Sequence, residues 1–207
     1  MGLFNALLKR PFRAWQLALF ALLFICVAVA IGYMAEQQAR EMRPSLYPNL
    51  TEIDVQLVSH EGKAMTLADI SDKPSLVYFG FTYCPDICPT TLAMMAGQLA
   101  ASDLSDDIQL ILITVDPNRD TPEQLKDYLS LFDVPMLALT GAPDQIDELL
   151  ADMGVFRAEI IDEDGDISYD HTSSVFMFKK GGAFKGTISP VEPADFITEK
   201  LNRLVKS

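Results

Sequence analysis

The chain has 207 residues, enough for one sizeable domain and a small appendage. A hydrophobic content of 49%, with twelve phenylalanines and six tyrosines, excludes an intrinsically disordered polypeptide. The formal net charge of −13 argues against a nucleic-acid partner, whose binding needs a basic face.

The charge is unevenly spread. Residues 1–43 hold Lys9, Arg10, Arg13, Arg40 and Arg43 against Glu36 and Glu41, a net of +3 that leaves −16 for the remainder. Residues 15–34, "WQLALFALLFICVAVAIGYM", contain only Gln16 as a strongly polar side chain. As a helix they reach roughly 30 Å, the thickness of a bilayer's hydrocarbon core. Basic residues precede the segment closely, so the positive-inside tendency puts residues 1–14 in the cytoplasm and the rest across the membrane. Ala28-Val29-Ala30 offers a cleavage-like site, but the apolar run continues past it, which favours a retained single-pass anchor. The lack of an Arg/Ser-rich transit segment favours a bacterial inner membrane with a periplasmic domain over the mitochondrial inner membrane facing the intermembrane space.

Residues 35–51 read as a tether and residues 52–207 as the folded domain. "EIDVQLVS" and "KAMTL" form a hairpin around a turn containing His60, which reads as a solvated surface residue. "SLVYFGF" and "IQLILITV" are continuous apolar runs suited to strands buried on both faces. A helix follows the first of them over "TTLAMMAGQLAA", with Met94 and Met95 expected in the core. Thr121 as N-cap and Pro122 at the first helical position announce the helix "TPEQLKDYLSLF". "MLALT" is a strand, and "APDQIDELLADMG" a helix stopped by Gly154. "VFRAEII" and "SSVFMFK" are strands around the acidic turn "DEDGD", residues 162–166. "AFKGTI" and a final helix over "DFITEKLNRLV" complete the chain. Strands alternating with helices predict an α/β fold: a thioredoxin-like central sheet, parallel at its centre and flanked by helices.

Between the first buried strand and its helix lies "GFTYCPDICPTT". Cys26 sits in the apolar segment, so Cys84 and Cys88 are the plausible pair. Pro89 suits the first turn of a helix, which makes Cys88 the expected N-cap in an exposed loop. A thiol there feels the positive end of the helix dipole, so at least one sulfur is expected to be partly ionised. A structural disulfide closing so short a loop would constrain little of the unfolded chain. A redox couple and a metal site remain. The second histidine, His171, precedes "SSVFMF" at a place where thioredoxins carry a proline that "YDHTSSV" lacks. That exchange fits ligation better than dithiol chemistry. Two thiolates and one imidazole are too few for structural zinc or an iron–sulfur cluster but suit Cu(I).

Taken together, "YFGFTYCPDICPTTLAMM", "ILITVDPNRDTPEQLKDYLSLF" and "YDHTSSVFMF" resemble the Sco/SenC family of copper chaperones, over nearly all of residues 52–207. The resemblance implies copper, as Cu(I) or Cu(II), held by Cys84, Cys88 and His171. It implies delivery to the copper A centre of cytochrome c oxidase subunit II or a similar cuproprotein. Asp170 precedes the histidine as in family members. Asp116, Arg119 and Asp120 either border the site or serve as turn and cap residues. The same dithiol permits an alternative, a thiol–disulfide oxidoreductase that reduces the acceptor's cysteines, with Cys84 and Cys88 as its redox pair. A peroxidase would want a threonine three positions before the cysteine, whereas Thr82 is two before Cys84. In an oxidising compartment either role needs a thiol reductant of thioredoxin type.

Overall fold

The computed structural model describes residues 14–41, 45–161 and 165–207. The chain divides into two compact units after residue 44. Among its described residues the first has one helix, α1 (Ala14–Glu41), which runs beyond Met34. Its stretch Gln16–Glu36 has a mean hydropathy of 2.7 and is long and apolar enough to cross a membrane. Apolar side chains face outward along that stretch, Phe20 and Phe24 among them, so no polar face is set aside for water. The basic residues Lys9, Arg10 and Arg13 lie outside the described residues.

Among its described residues the second unit has nine strands: β1 (Leu57–Ser59), β2 (Ala64–Met65), β3 (Ser75–Gly80), β4 (Gln109–Thr114), β5 (Met136–Gly141), β6 (Arg157–Ile161), β7 (Ile167–His171), β8 (Val175–Phe178) and β9 (Phe184–Ile188). Four helices join them: α2 (Ile87–Ala101), α3 (Pro122–Leu129), α4 (Pro143–Asp152) and α5 (Ala194–Val205). Seven strands form one sheet in the order β2-β1-β5-β4-β3-β8-β9, and β6 and β7 form a separate pair.

Every residue of β3 is buried, and five of the six in β4. Alternate side chains of a strand point to opposite faces, so both faces of the sheet are covered here. β3 runs parallel to β4, with Gly80 opposite Thr114, and β4 runs parallel to β5. β8 is antiparallel to β3, with Val77 opposite Phe176. The carboxyl ends of β3 and β4 and the entry to β8 therefore share one edge of the sheet. Connections leaving that edge are where such folds place their ligands. The core beneath it combines Leu76, Phe79, Ile111, Leu112, Leu92, Met95 and Phe176, all at most 1% exposed. Phe79 meets Phe176 edge-on, with a centroid distance of 5.5 Å. Each large apolar side chain buried this way contributes roughly 1.5–3 kcal/mol, so the sheet edge is a firm base for a site.

The start of α3 is as the sequence predicts. The Thr121 hydroxyl accepts from the Gln124 N–H at 3.2 Å, and Pro122 opens α3. Met95 is in the core and Met94 packs against it. The first hairpin is shorter than expected: Ile53, Val55 and Leu57 alternate inward, but ladder pairing begins only at Leu57. The Gln56 N–H instead donates to the Gln145 side chain at 2.9 Å. His60 is not a solvated turn residue. Its Nδ1 accepts the Ala138 N–H at 3.2 Å, fastening the turn to β5.

The main departure is β7. The acidic turn, part of which (residues 162–164) lies outside the described residues, joins β6 to β7 rather than to β8. Residues "ISYDH" pair with β6 from Ile161↔Ile167 to Arg157↔His171. His171 therefore ends a strand instead of sitting in a loop.

Candidate metal centre

Three connections meet at the shared edge. The first carries the cysteines. Phe81 is buried, and the Cys84 N–H donates back to the Phe81 carbonyl at 3.3 Å, which turns the chain. Thr82 is tied down by Asp120: its hydroxyl donates to Oδ1 at 2.6 Å and its N–H to Oδ2 at 3.1 Å. Asp120 also accepts the Thr114 hydroxyl at 2.6 Å. One fully buried carboxylate thus links the cysteine loop to the end of β4.

Helix α2 begins at Ile87 with Asp86 as its N-cap, so Cys88 lies in the first turn and is not the cap. Pro89 lacks an N–H that the first turn would not use, and the two residues before it can adopt helical geometry. This places the Cys88 sulfur inward. The loop is exposed as expected, at Pro85 and Asp86 and at Tyr83 and Ile87, the last two at 57% and 42%. The cysteines within it are free and buried, Cys84 at 9% and Cys88 at 0% exposure. Cys88 can sink this far because Gly80 has no side chain: a Cβ there would stand 3.1 Å from the Cys88 sulfur and 2.8 Å from the Tyr78 ring.

The β7–β8 connection brings the histidine. His171 Nε2 is 3.4 Å from the Cys88 sulfur, and Nδ1 is 3.0 Å from the Thr172 carbonyl. A carbonyl only accepts, so Nδ1 carries a proton and, in the neutral ring, Nε2 presents a lone pair to the sulfur. Phe81 and Tyr78 hold the ring edge-on, with centroid distances of 5.8 and 6.0 Å. The Tyr78 hydroxyl lies 3.7 Å from the Cys88 sulfur. Burial, then the nearby Cys88 sulfur, pushes the Tyr78 phenol well above its ordinary pKa, so it acts as a donor.

The two sulfurs differ sharply. A hydrogen bond from Cys88 lowers Cys84 to about 4 against the cost of burial, and the backbone N–H groups of Cys88 and Asp86 at the start of α2 add to the lowering. The same bond and burial push the Cys88 thiol far up. The start of the helix thus favours an ionised sulfur, as expected, and the favoured one is Cys84.

Among the described residues no three His, Cys, Asp or Glu side chains are already drawn into a metal-holding arrangement. Cys88 and His171 form the close pair, and Cys84 acts on both electrostatically. The donor set itself, two sulfurs and an unprotonated imidazole nitrogen, fits a soft cation of low coordination number. The three principal clefts involve none of these residues; the first is lined by His60, Lys126 and Met136 among others.

Asp116, Arg119 and Asp120 do border the site, and Thr121 is the helix cap. Asp170 is exposed, opposite Ala158 in the hairpin. Tyr78, Phe81, Tyr169 and Arg157 escape sequence reasoning. A tyrosine in an otherwise apolar buried strand is the one readable signal, because its hydroxyl needs a partner.

A family model described as SCO1/SenC matches residues 45–206. The mitochondrial protein SCO2 homolog of Bos taurus is 35% identical over 154 residues, covering 72% of this chain and 58% of the relative. An SCO2-like protein of Rickettsia conorii is 37% identical over 134 residues, covering 63% and 65%. The chain thus spans 58 to 65% of these two relatives' own length. Among solved structures, Bradyrhizobium japonicum ScoI with copper bound superposes with a TM-score of 0.66 at 34% identity, over 72% of this chain and 96% of that one. Yeast Sco1 with copper bound gives 0.68 at 29% identity, over 79% and 90%. The thioredoxin-like sheet, the cysteine pair beside a histidine and the extent of the match agree: this chain belongs to the SCO1/SenC family.

Proposed function

We propose that the protein is a copper metallochaperone that binds copper through Cys84, Cys88 and His171 and delivers it to the copper A centre of cytochrome c oxidase subunit II or a similar cuproprotein. Copper is cargo here. The observation that carries the reading is the 3.4 Å approach of His171 Nε2 to the Cys88 sulfur, made by residues far apart in the chain. Cys84 enters as a thiolate and completes the set by turning its side chain toward the pair. Binding releases the Cys88 proton, since the metal takes thiolates. Transfer proceeds by ligand exchange: thiolates of the acceptor replace the three donors one at a time, entering past Tyr83 and Ile87. Helix α1 anchors the domain, with residues 15–34 in the membrane, residues 1–14 cytoplasmic, residues 35–51 as tether and residues 52–207 in the periplasm. In a mitochondrion the equivalent compartment is the intermembrane space.

The difference between the sulfurs supports a second reading. An ionised Cys84 beside a protonated Cys88 is the polarity of a dithiol reductant, the first attacking and the second resolving. On this reading the protein reduces the acceptor's cysteines before copper arrives. Both readings require a thioredoxin-type partner that keeps the pair reduced.

Copper titration of the reduced full-length chain in detergent separates them. The metallochaperone reading predicts about one Cu(I) per chain, and a loss of affinity on the order of a hundred-fold or more in Cys84→Ser, Cys88→Ser and His171→Ala. Wild-type affinity in His171→Ala, with dithiol exchange intact, would reject it in favour of the reductant.

A further inference from the structure

The β6–β7 hairpin that carries His171 is not part of the main sheet, and a two-stranded pair is marginal by itself. Its side chains are largely half-buried or exposed, so little apolar packing fixes it. Something else must hold the histidine against the cysteine loop. The contacts that do so converge on one side chain in the β4–α3 turn. Arg119 Nε is ion-paired with the buried carboxylate of Asp116. Its Nη1 donates to the Ile167 carbonyl at the start of β7 at 2.8 Å. Its guanidinium carbon lies 4.8 Å from the ring centroid of Tyr83, the residue before Cys84, and 5.9 Å from that of Tyr169 in β7. Tyr169 in turn meets Phe81 edge-on at 5.6 Å, and Phe81 holds the His171 ring.

We propose that Arg119 is a positioning residue that clamps the histidine hairpin to the cysteine loop and so sets the separation of the imidazole from the two sulfurs. The proposal rests on the copper-binding reading given above. The planar guanidinium suits the task because one rigid group serves a carboxylate, a carbonyl and two ring faces at once. A lysine keeps the charge but is a single ammonium point, unable to span these partners. Asp116 anchors the clamp to the sheet, its N–H donating to the Thr114 hydroxyl at 2.8 Å. Arg157 adds a second tie, from Nη1 to the Val115 carbonyl at 3.0 Å, at the other strand of the hairpin.

Two readouts on the full-length chain in detergent test this. In the reduced, copper-free chain, NMR cross-peaks between the His171 ring and the Phe81 and Tyr78 rings are expected in wild type and absent in Arg119→Gln. Cu(I) affinity, measured by competition with a chromophoric chelator, is expected to fall on the order of ten- to a hundred-fold in Arg119→Gln, as for other residues that orient a ligand. Arg119→Lys should recover at most part of it. In a His171→Ala background Arg119→Gln should cost nothing further, because its effect passes through the histidine. A merely structural role would instead give the same loss in both backgrounds. Should Arg119→Gln fail to fold, Arg119→Lys carries the same test with a smaller loss. Persistent cross-peaks or unchanged affinity in the folded variant overturns the clamp. If wild type itself binds no copper, the copper reading fails, while the cross-peaks still decide the clamp.

Discussion

Gly80, Cys88 and Tyr78 occupy a space with no slack, and the glycine is what makes room. A methyl group added at Gly80 would press on the Tyr78 ring at 2.8 Å, and the ring is itself fully buried. Gly80→Ala should therefore lose about 1–3 kcal/mol of stability, as overpacking typically costs, and displace the Cys88 sulfur from the histidine. Denaturant unfolding of the copper-free chain checks the first part; an unchanged midpoint would mean that α2 shifts freely. Asp120 makes a second residue-scale prediction. Burial raises its pKa, against the pull of the Thr114 and Thr82 hydrogen bonds. An acid whose folded pKa is raised contributes stability that is complete below its unfolded value, about 3.9, and lost as pH rises through the folded value. Asp120→Asn cannot ionise. The melting temperature of wild type relative to this variant should then decline as pH rises from about 4, whatever constant offset the lost hydrogen bonds add. An advantage that grows with pH would show that the Thr82 and Thr114 bonds dominate.

Elements differ in how far local sequence determines them. Helix α3 is specified by its own first residues, and removing the cap in Thr121→Ala should cost about 1 kcal/mol, measurable as a shift in chemical unfolding. A negligible shift would mean that packing of Leu125 and Tyr128 alone holds the helix. Strands β3, β4 and β8 were equally legible, because continuous apolar runs have no stable place except between two covered faces. Strand β7 was not. "ISYDH" is short and offers only Ile167 and Tyr169 as an alternating pair, and it becomes a strand by pairing with β6 and by the grip of Arg119 and Arg157. That His171 meets the cysteines follows from the thioredoxin-like arrangement and the family resemblance, not from any local pattern around the histidine. Cys88 itself was misplaced by only one structural step. The rule that a proline opens a helix is correct for Pro122 and Pro143, whereas Pro89 sits later in the first turn, and that difference turns a cysteine from rim to interior.

At the scale of the whole molecule, the chain joins an apolar helix to an acidic domain with two free, buried cysteines. The anchor predicts that the full chain stays with membranes through an alkaline carbonate wash; release into the supernatant would favour a cleaved segment. The dithiol predicts a dependence on redox state, since a disulfide offers no thiolate to a metal. Chain oxidised to the Cys84–Cys88 disulfide should bind no Cu(I), and uptake at the reduced level would remove the need for a reductant partner. The claim on which all of this depends is the ligand set, and copper K-edge X-ray absorption of the reduced, loaded full-length chain reads it most directly. Two sulfur scatterers and one nitrogen are predicted in wild type, with the nitrogen lost in His171→Ala and one sulfur lost in Cys84→Ser. A coordination shell of oxygen and nitrogen alone, or one unchanged by replacing His171, would contradict it.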